Sequence, residues 1–129
     1  VLRAILNRLL GGRGERAAEK FLKKAGLRII TRGYRSPFGE IDLVAREGET
    51  WVFVEVKTRR RGTPVDAVTV EKQRRLTLTG VHFLKQNGIL ESSARFDVVA
   101  IVWSEDSNKP VIEHIPNAFE SVGHGQMFY

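Results

Sequence analysis

Two alternating stretches, Glu40–Arg46 and Trp51–Lys57, flank the short run Glu47-Gly48-Glu49-Thr50. Period-two alternation places successive side chains on opposite faces of a strand, and Gly suits the first central position of a type II′ turn. The pattern predicts a β-hairpin with Gly48-Glu49 at its tip, in which residues whose numbers sum to 97 stand opposite one another. Ile41, Leu43, Ala45, Val52, Val54 and Val56 then share one face, which reads as core. The other face carries Glu40, Asp42, Glu55 and Lys57, with Val44, Trp51 and Phe53 further along. Asp42 falls opposite Glu55 and Glu40 opposite Lys57. Directly opposed carboxylates repel and cost a sheet stability. Two readings account for them: a solvated face where water and Lys57 screen the charges, or a cation held between them.

Helical and strand patterns surround the hairpin. Leu2, Ile5, Leu6, Leu9 and Leu10 recur at helical spacing, interrupted by Arg3, Asn7 and Arg8, so residues 1–12 read as a short amphipathic N-terminal helix ended by Gly11 and Gly12. Arg13–Ala25 reads as a second helix stopped by Gly26, its apolar stripe formed by Ala17, Ala18, Phe21, Leu22 and Ala25 with Glu15 at the edge. An acid in a first helical turn complements the helix dipole, so Glu15 alone is ambiguous. Leu27–Tyr34 reads as a strand followed by a turn at Ser36-Pro37-Phe38-Gly39. Thr69 is the expected N-cap of a helix reaching about Asn87 before Gly88, with Leu76, Gly80, Phe83 and Leu84 inward and Gln73 on the same side. Arg95–Trp103 and Pro110–Ile115 complete the strands. The expected organisation is therefore the helix at 1–12, one α/β domain at 13–120 and a C-terminal tail at 121–129.

The 129 residues are 42% hydrophobic and 28% charged, which supports a core and argues against disorder. No cysteine is present, so disulfides, thiolate zinc sites and cysteine nucleophiles are excluded, and a reducing, cytoplasmic setting fits. The longest apolar run, Val98–Trp103, is far short of the ~20 residues of a membrane helix. The net charge of +6 is uneven: residues 1–75 hold 18 basic and 9 acidic residues, residues 76–129 hold 3 and 6. Such one-sided basicity points to a polyanionic partner, nucleic acid ahead of a membrane surface. His82, His114 and His124 lie too far apart for metal-ligand spacing and read as structural or solvent-facing.

Glu15, Asp42, Glu55 and Lys57 form the candidate polar cluster. Carboxylates without His or Cys suit a hard cation, Mg²⁺ or Mn²⁺, and a neighbouring Lys can orient water at a phosphodiester. The runs Gly14-Glu15-Arg16-Ala17-Ala18, Gly39-Glu40-Ile41-Asp42-Leu43 and Val52-Phe53-Val54-Glu55-Val56-Lys57 resemble the YraN family of small bacterial proteins. So do Lys72-Gln73-Arg74-Arg75-Leu76, Arg95-Phe96-Asp97-Val98-Val99 and Asn117-Ala118-Phe119. That family is similar to archaeal Holliday-junction resolvases within the PD-(D/E)XK nuclease superfamily, and the resemblance runs from about Gly11 to Phe119. It implies a restriction-endonuclease-like, three-layer α/β fold with a central mixed β-sheet flanked by helices. It makes Glu15 the helix-borne acid, Asp42 and Glu55 the metal ligands with Glu15 completing the set, Lys57 the catalytic lysine, and Gln73 a helical polar residue facing the site. Ile41 stands where the superfamily has proline.

The expected activity is Mg²⁺- or Mn²⁺-dependent endonucleolytic cleavage of DNA, at branched or flap structures, with Arg59, Arg60, Arg61 and Arg35 gripping phosphates. Symmetric cleavage by a resolvase implies a homodimer. The alternative is a nucleic-acid-binding module that keeps the nuclease fold without cutting.

Overall fold

Seven elements follow one another in the computed structural model, which describes residues 2–60, 68–105 and 108–121. They are α1 (Leu2–Lys24), β1 (Arg28–Ser36), β2 (Gly39–Glu47), β3 (Thr50–Arg60), α2 (Val70–Gln86), β4 (Ala94–Trp103) and β5 (Val111–Phe119). The five strands form one sheet in the order β1-β2-β3-β4-β5. Neighbours run antiparallel except β3 and β4, which are parallel and joined through α2. A parallel pair requires such a crossover.

The hairpin has the expected register, from Glu47↔Thr50 to Leu43↔Val54. Gly48 has φ of +58° while Glu49 does not share the left-handed region, as a type II′ turn requires. Helices cover both faces. Ala18 and Leu22 of α1 pack with Leu43, Ala45, Val52, Val54, Val99 and Ile101. Leu76, Phe83 and Leu84 of α2 pack with Val44, Phe53 and Phe96 on the opposite face. The structure is thus the expected three-layer α/β arrangement.

Three expectations are corrected. First, no break occurs at Gly11 and Gly12: α1 runs unbroken from Leu2 to Lys24. A helical glycine costs only ~1 kcal/mol relative to alanine, which flanking helix and packing offset. Second, Ile41 belongs to the α2-side cluster rather than sharing a face with Leu43. Third, Glu40 is paired with Arg35 of β1, and Lys57 with Ala100 of β4, rather than with each other. The second and third have one cause: the β2–β3 ladder stops at Leu43↔Val54.

The helix ends behave as expected. Thr69 caps α2 by accepting the Lys72 N–H at 3.1 Å. Both helices terminate in a Schellman pattern, with Leu27 N–H bonding Leu22 C=O at 3.0 Å and Ile89 N–H bonding Leu84 C=O at 2.9 Å. Arg61 and the tail beyond Ser121, His124 included, lie outside the described residues.

Among the described residues, one carboxylate lies fully inside this framework. Asp97 has no solvent exposure. It faces an irregularity where β5 carries extra residues between Ile115 and Phe119 against Val98 and Phe96, with Asn117 at φ +50°. Its carboxylate accepts hydrogen bonds from Asn117 N–H (2.9 Å) and Arg95 Nε–H (3.0 Å), and His114 Nε2 lies 2.7 Å away. Asp97 therefore closes the bulge with side-chain hydrogen bonds where ladder bonds are missing. His114 is structural, as expected. Among the described residues, no helix is long and apolar enough to cross a membrane.

Candidate active site

The site begins where β2 and β3 part. Past Leu43↔Val54, Asp42 Oδ2 accepts the N–H of Val56 at 2.8 Å. A side chain thus satisfies a backbone donor that the next ladder step leaves open. Glu55 lies on the facing strand, its side chain only 11% exposed. Burial, then a hydrogen bond and the charge of Asp42, push its pKa up to about 8, against the opposing pull of Lys72. With its pKa at about 8, the Glu55 carboxyl keeps its proton at neutral pH. The ladder holds no Asp42–Glu55 pair; the two interact through their side chains past its end.

Lys72 of α2 approaches from above, its Nζ 3.4 Å from Glu55 Oε2. That oxygen is buried and makes no hydrogen bond. Gly39, Glu40, Asp42, Glu55, Lys72 and Arg75 line a cleft of about 400 Å³, with Phe38 and Leu76 completing its wall.

Glu15 reaches the same negative region from the other helix. Its pKa is raised first by burial, then by the charges of Asp42 and Glu40. The first turn of α1 contains no acidic residue, so a helix-dipole role does not explain Glu15, which lies in the helix interior. Its approach depends on Gly14: a Cβ there would run into the Thr58 hydroxyl of β3. The absent side chain lets the helix backbone come down onto the strand beside Lys57.

The other expected residues divide. Lys57 is two residues beyond Glu55 on β3, hence on the same face of that strand. Gln73 is not brought to the carboxylates; its amide donates to Val68 C=O at 2.8 Å, bracing the entry into α2. Arg59 and Arg60 end β3, and Arg35 is exposed with its Nε 3.1 Å from Glu40 Oε2.

Lys72, Arg75 and Glu40 were not singled out as site residues from the sequence. A signal for Lys72 was present. A cation in the first turn of a helix opposes the dipole, so it calls for a nearby carboxylate, here Glu55.

A mixed sheet covered on both faces, with a carboxylate pair at a strand divergence, defines a three-layer α/β protein with a charged cleft beside that pair. The chain belongs to the uncharacterised protein family UPF0102, whose model matches residues 14–101; this is the YraN family that the motifs resemble. A UPF0102 protein of Rhodococcus opacus is 49% identical over 116 residues, covering 88% of this chain and 98% of the relative. One from Geobacter sulfurreducens is 50% identical over 118 residues, covering 88% and 91%. Among solved structures, Archaeoglobus fulgidus Hjc, a Holliday junction resolvase from an archaeal hyperthermophile, is 24% identical, with a TM-score of 0.47 over 81% of this chain and 73% of that one.

Proposed function

We propose that the chain is a divalent-metal-dependent nuclease acting on DNA, with Asp42 and Glu55 as its metal-binding pair. The observation that carries this reading is the pair itself: Asp42 held by the Val56 N–H beside Glu55, which is buried with its pKa raised to about 8 and has an oxygen that makes no hydrogen bond. A cation can replace the Glu55 proton and use that oxygen. Among the described residues no three Asp, Glu or His side chains group to hold a metal. Mg²⁺ needs no such group: one or two carboxylates suffice when water and substrate phosphate supply the rest. When bound, such an ion neutralises phosphate charge and lowers the pKa of a coordinated water.

The chain's own residues supply positioning. The Val56 N–H fixes the Asp42 carboxylate, and Lys72 offsets the charge of Glu55. Lys57, on the Glu55 face of β3, holds the attacking water, while Glu15 extends the acidic surface from α1. Arg75 on the cleft wall takes a phosphate, and Arg35, paired with Glu40 of that wall, and Arg59 and Arg60 at the end of β3 take others further along the strand. Branched or flap DNA is the substrate class that the family resemblance suggests.

A non-cutting binding module is the second reading. It is favoured by the Lys72–Glu55 ion pair, which already gives one carboxylate a cationic partner. Cleavage of a labelled branched DNA with Mn²⁺ separates the two. Asp42→Asn and Lys57→Ala are expected to abolish cutting while DNA affinity stays within about tenfold, because chemistry and backbone grip use different groups. Wild-type cleavage by Asp42→Asn rejects the site. Binding without cleavage by the unmodified chain establishes the module.

A further inference from the structure

Phe38 stands at the tip of the β1–β2 turn and is 46% exposed. It is the one aromatic among the large exposed hydrophobics of the described residues. It also lines the cleft that contains Asp42, Glu55, Lys72 and Arg75. Nearly half of its surface is left in water at the mouth of this charged cleft.

The backbone beneath it is held firmly. Phe38 N–H donates to Ser36 Oγ at 3.0 Å, and Ser36 Oγ lies 3.0 Å from Thr79 Oγ1. The buried Thr79 hydroxyl in turn donates to Arg75 C=O at 2.8 Å. With Thr79 donating to Arg75, the Ser36 hydroxyl accepts from Phe38 and directs its own proton to Thr79 or to Gly39 C=O, 3.4 Å away. This chain of hydrogen bonds ties the turn to α2, so the ring is presented from a fixed support beside the cations of that helix.

An exposed ring on a held turn, lining one cleft with Lys72 and Arg75, has the parts of a platform for single-stranded nucleic acid: an aromatic face for a base and cations for the backbone. A base inside an intact duplex has both faces covered by its neighbours and offers no free face. We infer that Phe38 stacks on an unpaired base of single-stranded DNA adjoining the phosphodiester at Asp42 and Glu55. The position of that phosphodiester rests on the nuclease reading above.

The experiment measures dissociation constants in EDTA, where metal-dependent cleavage cannot intervene. The probes are a single-stranded DNA oligonucleotide containing 2-aminopurine and a blunt duplex of the same sequence. Phe38→Ala is expected to weaken single-strand binding about tenfold and duplex binding by less than about twofold, a loss within the range of one base stacked on an aromatic. Phe38→Trp is expected to restore affinity and the quenching of 2-aminopurine. Because the side chain is exposed, both variants should keep the unmodified melting temperature. Equal losses on the two probes, no loss on the single strand, or no binding of either probe by the unmodified chain overturns the inference. Failure of the nuclease reading has a different signature, the absence of Asp42-dependent cleavage with Mn²⁺, which binding in EDTA does not measure.

Discussion

The carboxylate of Asp42 accepts the N–H of Val56 at 2.8 Å, beyond the last paired residues Leu43 and Val54. An acidic side chain thus occupies the place of a ladder hydrogen bond, and the strands diverge around it. The divergence lets groups from both helices converge on one point, with Lys72 reaching Glu55 from α2 and Glu15 sensing the charge of Asp42 from α1.

The α1 approach is testable through Gly14. Gly14→Ala raises helix propensity by ~1 kcal/mol yet drives a methyl group into Thr58. The expected net effect is destabilisation by ~1–3 kcal/mol, the usual cost of overpacking. Thr58→Ala in the same chain should restore most of it. Urea denaturation of both single variants and the double variant measures the coupling; additive losses would show that the two positions do not touch.

Asp97 is expected to be a stability residue, unlike the cleft acids. Asp97→Ala leaves Arg95 with Glu47 alone and strands His114 and the Asn117 N–H around a buried gap. Removing one member of a buried charge network typically costs ~3–5 kcal/mol. Denaturant midpoints give the figure, and a loss below ~1 kcal/mol would mean that water replaces the carboxylate.

Much of the fold was legible because its signals are local. The sum-97 register follows from the turn and the alternation, and the α2 boundaries follow from Thr69 and Gly88. The face assigned to Ile41 failed because alternation assumes a continuing ladder, whereas Asp42 ends it. The break assigned to Gly11-Gly12 failed because glycine only lowers helix propensity; it does not end a helix without a reversing turn, as occurs at Gly26. Of the residues lining the cleft, Asp42 and Glu55 stand out in the sequence through spacing and motif. Lys72 and Arg75 depend on how α2 is laid across the sheet, a long-range relation that periodicity does not encode.

The basic segment closing β3 makes a salt-dependence prediction. Replacing Arg59, Arg60 and Arg61 by Ala should reduce the log–log salt slope of DNA affinity by about two to three, as expected when that many phosphate contacts disappear. Titrations at several NaCl concentrations check it. An unchanged slope means that these arginines face solvent in the complex.

The Asp42–Glu55 pair ties pH, metal and stability together. Glu55 has a pKa of about 8 in the folded chain, above the ordinary 4.5. The folded state therefore holds that proton more tightly than the unfolded one. Its stabilising contribution is complete below about pH 4.5 and is lost as pH rises through about 8. Asp42→Asn keeps an oxygen for the Val56 N–H but removes the neighbouring charge, so Glu55 ionises at lower cost. In EDTA at pH 8.5 the variant should melt a few degrees above the unmodified chain, and the gap should shrink at pH 5. Mn²⁺ binding only the folded state adds RT ln(1 + [L]/Kd), roughly 1.4 kcal/mol at ten times Kd. The unmodified chain should therefore gain a few degrees from Mn²⁺, and Asp42→Asn should gain much less. Ionic-strength-matched NaCl supplies the control, since screening acts on both proteins alike. A Mn²⁺ shift in the unmodified chain no larger than that given by NaCl removes the physical basis for a cation at this pair.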